Sequence, residues 1–194
     1  MSDRDRRDRA PVEHFERLAR EAEDPWDYAT SEYEQRKYQR TLEYLPERTG
    51  RTLELGCSIG VFTAMLAPRC DHLLAVDFSP TALERARARL GGADHVELLQ
   101  RRLPEEMPSG PFDTIVCAEV LYYWSAELVR AGLRRIEAAL VPGGTLLAVH
   151  WRYSDPRREL TGDDVHEILD AATSLQLDAS RTTPDYLLDR WRAR

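Results

Sequence analysis

Two carboxylates and a glycine turn carry the chemistry of this chain. Glu54 lies two residues before Gly56, and Gly56 opens the run Gly56-Cys57-Ser58-Ile59-Gly60. The residues before it, Thr52-Leu53-Glu54-Leu55, read as a short apolar strand, and Val61-Phe62 begin a helix. A second strand, Leu73-Leu74-Ala75-Val76, ends on Asp77. A strand, a glycine turn, a helix and a second strand ending in an acid build a nucleoside pocket. The glycines let the backbone approach the ligand, and the acid accepts hydrogen bonds from ribose hydroxyls.

The spacing narrows the ligand. A dinucleotide turn wants G-x-G-x-x-G around a pyrophosphate, whereas here the glycines are Gly56 and Gly60, with Ser58 where a middle glycine might stand. Glu54 would repel a pyrophosphate but suits an ammonium group. No Gly-Lys-Ser/Thr follows, so a Walker loop is excluded. S-adenosylmethionine carries an ammonium, a sulfonium and a ribose but no phosphate, and it is the cofactor this pattern favours.

In an open parallel sheet, ligands bind beyond the carboxyl ends of the strands. That rule selects Gly56 to Gly60, Asp77 and Phe78, the turn Arg101-Arg102-Leu103, Glu119 to Trp124 and His150 to Tyr153. An amine nucleophile must shed its proton, and Glu119, Tyr122, Tyr123 and His150 are the polar groups at those ends that could accept it. Trp124, Trp151 and Tyr153 could wall a sugar ring or serve as ordinary packing. A concentration of aromatics and an arginine, Trp26, Tyr28, Tyr33, Arg36 and Tyr38, precedes the first strand and reads as a helical lid. From that lid Arg36 or Tyr33 is expected to reach the cofactor carboxylate.

The elements that must position these groups alternate in kind. Helices are expected at 11–23, 31–44, 60–69, 79–91, 125–140 and 163–173, and strands at 51–55, 72–77, 95–99, 112–118 and 144–151. Ser31 with Glu34 is a capping-box signature, and Ser79-Pro80 is a serine cap with proline in the first turn. Leu175, Leu177 and Ala179, then Tyr186 to Trp191, read as a closing antiparallel strand pair. The expected fold is an α/β three-layer sandwich. Its mostly parallel, seven-stranded, Rossmann-like sheet has an antiparallel C-terminal strand and an N-terminal helical lid. Residues 1–10 read as a disordered tail and 11–194 as one domain, with the lid at 11–48 and the core at 49–194.

Composition bounds the function. A chain of 194 residues that is 42% apolar buries a single core. A net charge of −7 without a basic, aromatic-interleaved patch argues against a nucleic-acid partner. Three scattered cysteines, Cys57, Cys70 and Cys117, point to reduced thiols in a cytoplasm and to no bound metal. The charged start lacks a signal-peptide core, and no apolar run reaches membrane-spanning length. Either a monomer or a homodimer is compatible with these features.

From about Leu42 onward the chain resembles the class I S-adenosylmethionine-dependent methyltransferases. Gly56 to Gly60 resembles their first motif, and Val76-Asp77-Phe78-Ser79 their ribose-binding second. Phe112 to Glu119 resembles the fourth strand, and Leu140-Val141-Pro142-Gly143-Gly144-Thr145-Leu146 the turn into the fifth. More narrowly, Gly56-Cys57-Ser58-Ile59-Gly60, Asp24-Pro25-Trp26, Ser31-x-Tyr33-Glu34 and Glu119-Val120-Leu121-Tyr122-Tyr123 resemble the nodulation protein S group. Those enzymes N-methylate the free amine of a deacetylated chitooligosaccharide. The resemblance implies that Glu54, Gly56, Cys57, Ser58 and Gly60 hold the amino-acid end of the cofactor. It implies that Asp77 and Ser79 hold the ribose and that Phe78 and Leu103 border the adenine, with Glu119 near the ligand. Many relatives place an acid in the third-strand turn, where this chain has Arg102. The implied acceptor is a small molecule bearing an amine, with a hydroxyl acceptor as the alternative. A non-catalytic partner subunit that kept the cofactor fold is the reading from another class.

Overall fold

The structure, a computed structural model, describes residues 13–156 and 158–194. The expected tail at 1–10 and the start of the first helix lie outside the described residues.

Helix α1 runs through 13–21 and α2 through Glu32–Glu43. Ser31 caps α2 by accepting from the Glu34 amide at 3.4 Å, and Glu32 and Glu34 place negative charge on its first turn, where the helix dipole favours it. Strand β1 spans Gly50–Leu55 and α3 spans Val61–Leu66. The single helix expected over 60–69 is shorter than that. Pro68 cannot donate to an α-helical ladder, and Ala67–Arg69 tighten into a 3-10 turn. Strand β2, Cys70–Asp77, starts two residues before the expected boundary. Helix α4, Pro80–Leu90, begins as expected, with the Ser79 hydroxyl accepting from the Ala82 amide at 3.0 Å. Strands β3, Val96–Gln100, and β4, Phe112–Ala118, follow. A 3-10 turn at Leu121–Tyr123 leads to α5, Ala126–Ala139. Strand β5 is longer than expected, Leu140–Trp151, because Leu140 already pairs with Phe112. Helix α6, Gly162–Ala172, then precedes the hairpin of β6, Gln176–Thr182, and β7, Tyr186–Arg192.

The strand order is β3-β2-β1-β4-β5-β7-β6. The first five strands in that order pair in parallel, and β7 runs antiparallel to both β5 and β6. Alternate residues of each strand feed opposite faces, as the pleat requires. Leu53, Leu55, Ile115 and Cys117 pack toward α5 and α6, against Val129, Leu133, Ile136, Val165 and Leu169. Val116, Leu147 and Val149 pack toward α2 and α3, against Tyr38, Leu42, Phe62 and Leu66. The sheet is thus buried on both sides, and its strand tips at Leu55, Asp77, Ala118 and Trp151 share one end.

Candidate active site

Strand β1 pairs with β2 on one side and β4 on the other, so the chain reverses its winding there and leaves a crevice at the strand tips. The crevice is a cavity of about 440 Å³. Glu54, Gly56, Cys57, Ser58, Asp77, Phe78, Ser79, Leu103 and Glu119 all line it.

The backbone of the first turn explains its glycines. Gly56 and Gly60 both have φ of 76°, a left-handed conformation that a Cβ disfavours. A Cβ on Gly60 would lie 2.9 Å from the Ala86 Cβ, so α3 and α4 meet there. Gly60 itself is not among the cavity-lining residues; it shapes the turn by that close approach. Ser58 also has positive φ, 49°. Its amide donates to Asp77 Oδ2 at 2.9 Å, while the Ser79 amide donates to Oδ1 at 2.9 Å. One carboxylate therefore ties the glycine turn to the head of α4. Burial raises the Asp77 carboxyl, and these amide bonds oppose the rise without cancelling it.

Glu54 is 2% exposed, and its Oε2 has no hydrogen-bond partner. Burial, against a Thr63 hydrogen bond that lowers it and with a further contribution from the Asp77 charge, pushes its carboxyl up to about 7. A buried carboxylate with one unpartnered oxygen on a cavity wall calls for a cation. The ammonium of S-adenosylmethionine fits that demand.

At the tip of β4, Glu119 sits at φ 56°, again left-handed. Its Oε1 accepts from Lys37 Nζ at 2.6 Å, and its Oε2 accepts from the Tyr122 hydroxyl at 2.5 Å and the Trp151 amide at 2.9 Å. Burial opposes the charge, but Lys37 and the two hydrogen bonds hold this carboxyl below its ordinary value. Lys37, the only lysine in the sequence, is 3% exposed and also lies 3.0 Å from Glu34. Its singularity was the only sequence signal that could have marked it.

Two of the expected proton acceptors are placed elsewhere. His150 is fully buried and does not line the cavity. Its Nε2 accepts from the Leu121 amide at 3.3 Å, so in the neutral ring Nδ1 carries the proton and donates to His166 Nε2 at 3.1 Å. His166 Nδ1 in turn donates to Asp189 Oδ2 at 2.5 Å. Burial, then the neighbouring His166, drives the His150 pKa well down. The imidazole is committed inside the protein and cannot reach an acceptor. Tyr122 is likewise buried, with its hydroxyl spent on Glu119; Tyr123 is the tyrosine on the cavity wall.

The lid expectation is corrected in its residues. Tyr33 and Arg36 do not line the cavity but border a separate surface depression with Arg40 and Arg181. Arg36 pairs with Glu32 at 2.5 Å on the solvent side of α2. The buried face of α2 is the stripe Tyr38, Thr41, Leu42, and Tyr38 is its contribution to the cavity. Phe15 and Ala19 of α1 line it too, and Phe15 packs on Tyr123 with ring centroids 4.8 Å apart. Glu16 accepts from the hydroxyls of Ser79 at 2.5 Å and Thr81 at 2.6 Å, latching α1 to the head of α4. In the third-strand turn, Arg102 and Glu105 both line the cavity, and Glu105 is an acid two residues beyond Leu103. Trp124 is on the wall, whereas Trp151 and Tyr153 pack on each other outside it, 4.8 Å apart.

This sheet order and this site define a class I S-adenosylmethionine-dependent methyltransferase. A family model described as Nodulation protein S (NodS) matches residues 10–181. Nodulation protein S of Bradyrhizobium diazoefficiens is 38% identical over 141 residues, 70% of this chain and 67% of that protein. Its counterpart in Rhizobium tropici is 31% identical over 193 residues, 93% of this chain and 81% of that protein. Among solved structures, N-methyltransferase NodS from Bradyrhizobium japonicum in complex with S-adenosyl-L-homocysteine superposes with a TM-score of 0.83. It is 27% identical, over 94% of this chain and 98% of that one. The chain belongs to the nodulation protein S family. No helix among the described residues is long and apolar enough to cross a membrane.

Proposed function

We propose that this enzyme methylates the amine of a small acceptor of the amino-sugar class. The observation that supports the cofactor half is Glu54, whose buried, unpartnered oxygen faces the cavity at the switch point of the sheet. In this reading Glu54 takes the cofactor ammonium, and the amides of the Gly56-Cys57-Ser58 turn border its carboxylate. Asp77, with lone pairs left on both oxygens, takes the ribose hydroxyls beside Ser79, and Phe78, Leu103 and Glu105 border the base. Helices α1 and α2 act as a lid that excludes water from the reacting centre.

The acceptor half is supported by the N-methyltransferase that this chain resembles over 94% of its length. The sulfonium is already a reactive methyl donor, so the protein's task is alignment. Glu119, held as a carboxylate by Lys37, would orient an incoming amine through its N–H groups. Methyl-transfer assays with mass detection should give product on glucosamine oligomers with a free amine and none on their fully N-acetylated forms. Equal turnover of both forms, or of neither while S-adenosylhomocysteine still binds, would sink the amine assignment.

A further inference from the structure

Arg158, on the connection between β5 and α6, lies against aromatic rings. Its guanidinium carbon is 3.9 Å from the Tyr122 ring centroid, 5.0 Å from Trp151 and 5.6 Å from Tyr123. The two tyrosine rings stand at 79° to each other, centroids 4.8 Å apart, and make a corner that Trp151 closes. Other arginines near this region find carboxylates: Arg152 lies 2.7 Å from Asp163, and Arg190 2.7 Å from Asp178. Arg158 forms no such pair among the described residues. Its Nη1 donates to the Tyr153 carbonyl at a long 3.4 Å, its guanidinium also donates to the Tyr123 hydroxyl, and its Nε is buried without a partner.

We infer that Tyr122, Tyr123 and Trp151 form a cation-binding cage, filled here by Arg158 and built to hold the acceptor's ammonium on entry when Arg158 moves aside; the amine then gives its proton to water before it takes the methyl group. The inference rests on the amine reading above. Three aromatic faces around one positive charge are the arrangement by which proteins bind ammonium ions, through the negative faces of the rings. The cage abuts the cavity through Tyr123, with Tyr122 and Trp151 behind that wall. Tyr123 lines the central cavity, as does Glu159, the residue after Arg158. The Tyr122 hydroxyl and the Trp151 amide both bond Glu119, whose carboxylate lines the same cavity.

The walls of the cage are anchored by strong hydrogen bonds, and its occupant is held without an ion pair among the described residues. Tyr122 and Trp151 are anchored on Glu119, and the Leu121 amide on His150. The Arg158 guanidinium, on a connecting segment, is held by ring faces, the Tyr123 hydroxyl and one long bond to the Tyr153 carbonyl, with no carboxylate partner among the described residues. Replacing its guanidinium by an ammonium exchanges one cation for another in the same field, with little change in what the cage must solvate. An ammonium brings N–H donors that the Glu119 side of the site can accept.

The test uses tetramethylammonium, which probes the rings without needing an acceptor. Wild type, Arg158→Ala and Arg158→Gln are titrated with tetramethylammonium chloride against a sodium chloride blank, read by calorimetry and by tryptophan fluorescence. Both variants should bind it at least about tenfold more tightly than wild type. Adding Trp151→Leu should remove the gain. S-adenosylhomocysteine titration of each variant checks that the fold survives, and the glutamine variant retains bulk and polarity if alanine does not fold. A variant that binds S-adenosylhomocysteine but gains no affinity for tetramethylammonium overturns the cage. An amine panel without product overturns the acceptor reading instead and leaves the tetramethylammonium result standing.

Discussion

The Lys37 ammonium lies 2.6 Å from Glu119 Oε1, joining α2 to the tip of β4 across 82 positions of sequence. Burial opposes the lysine's charge, yet the Glu119 and Glu34 carboxylates more than offset it and raise its pKa. Removing one partner of such a pair leaves a buried charge uncompensated, at a cost of about 3–5 kcal/mol. Lys37→Met should therefore lose about that much at neutral pH. The pH dependence follows from the signs. In wild type the depressed Glu119 stabilises above its unfolded pKa, and that stability is lost as pH falls through the folded value. Without Lys37 the carboxyl is raised, so its penalty is relieved on acidification. The gap between the two proteins in urea melts should narrow as pH falls; a constant gap would refute the pair's role.

Glu54 makes cofactor binding proton-linked. Its folded pKa is raised to about 7 by burial, so in the free protein it is half protonated near neutrality. A bound ammonium favours the carboxylate and pulls that pKa down. Binding should release a fraction of a proton near pH 7, and affinity should fall as pH drops below it. Calorimetry in two buffers of different ionisation enthalpy reads the release directly. Glu54→Gln should bind more weakly and abolish the linkage; a linkage that persists in the variant would assign it to another group.

Two neighbouring positions of the first turn should respond oppositely. Gly60→Ala adds a Cβ 2.9 Å from the Ala86 Cβ at φ 76°, and should cost about 1–3 kcal/mol. Ser58→Gly removes a Cβ from a left-handed residue at φ 49°, and the relief of about 1 kcal/mol should outweigh glycine's entropy or match it. Thermal melts decide: a Ser58→Gly protein clearly less stable than wild type would mean the serine side chain does more than occupy the turn.

The chain from Leu121 through His150 and His166 to Asp189 should behave as a fixed-polarity hydrogen-bond network. His166→Leu orphans the His150 Nδ1–H and should cost about 1–3 kcal/mol while leaving cofactor binding measurable. Because the folded His150 pKa is depressed, its stabilising contribution is full above the unfolded pKa and lost as pH falls below it. Nitrogen-15 NMR should find His150 protonated at Nδ1 rather than Nε2. The opposite tautomer would contradict the network.

The sequence made legible what is local or periodic. The strand–turn–helix around Gly56, the acid ending β2, the serine caps at Ser31 and Ser79 and the closing hairpin are patterns within a few residues. Boundaries shifted where a single residue overrode the period, as Pro68 does after α3, or where pairing extended a strand, as at Leu140. The residues that line the cavity at the strand tips were legible, and their hydrogen-bond partners were not. Nothing local tells that Lys37 meets Glu119, or that His150 turns inward to His166 and Asp189. Arg36 and Tyr33 border a separate depression because they lie off the buried face of α2. The stripe Tyr38, Thr41 and Leu42 fixes that face and turns Arg36 to solvent.

The burial of the only lysine also makes the molecule a chemical reporter on itself. Lys37 is 3% exposed and ion-paired, so a side-chain-directed amine reagent finds no lysine target in the folded chain. Acylation at that position requires the Lys37 ammonium to leave its ion pairs with Glu34 and Glu119. Its rate is therefore a clock for the opening of the α2–Glu119 junction, readable by peptide mapping, which separates Lys37 from the terminal amine, without any label having been installed.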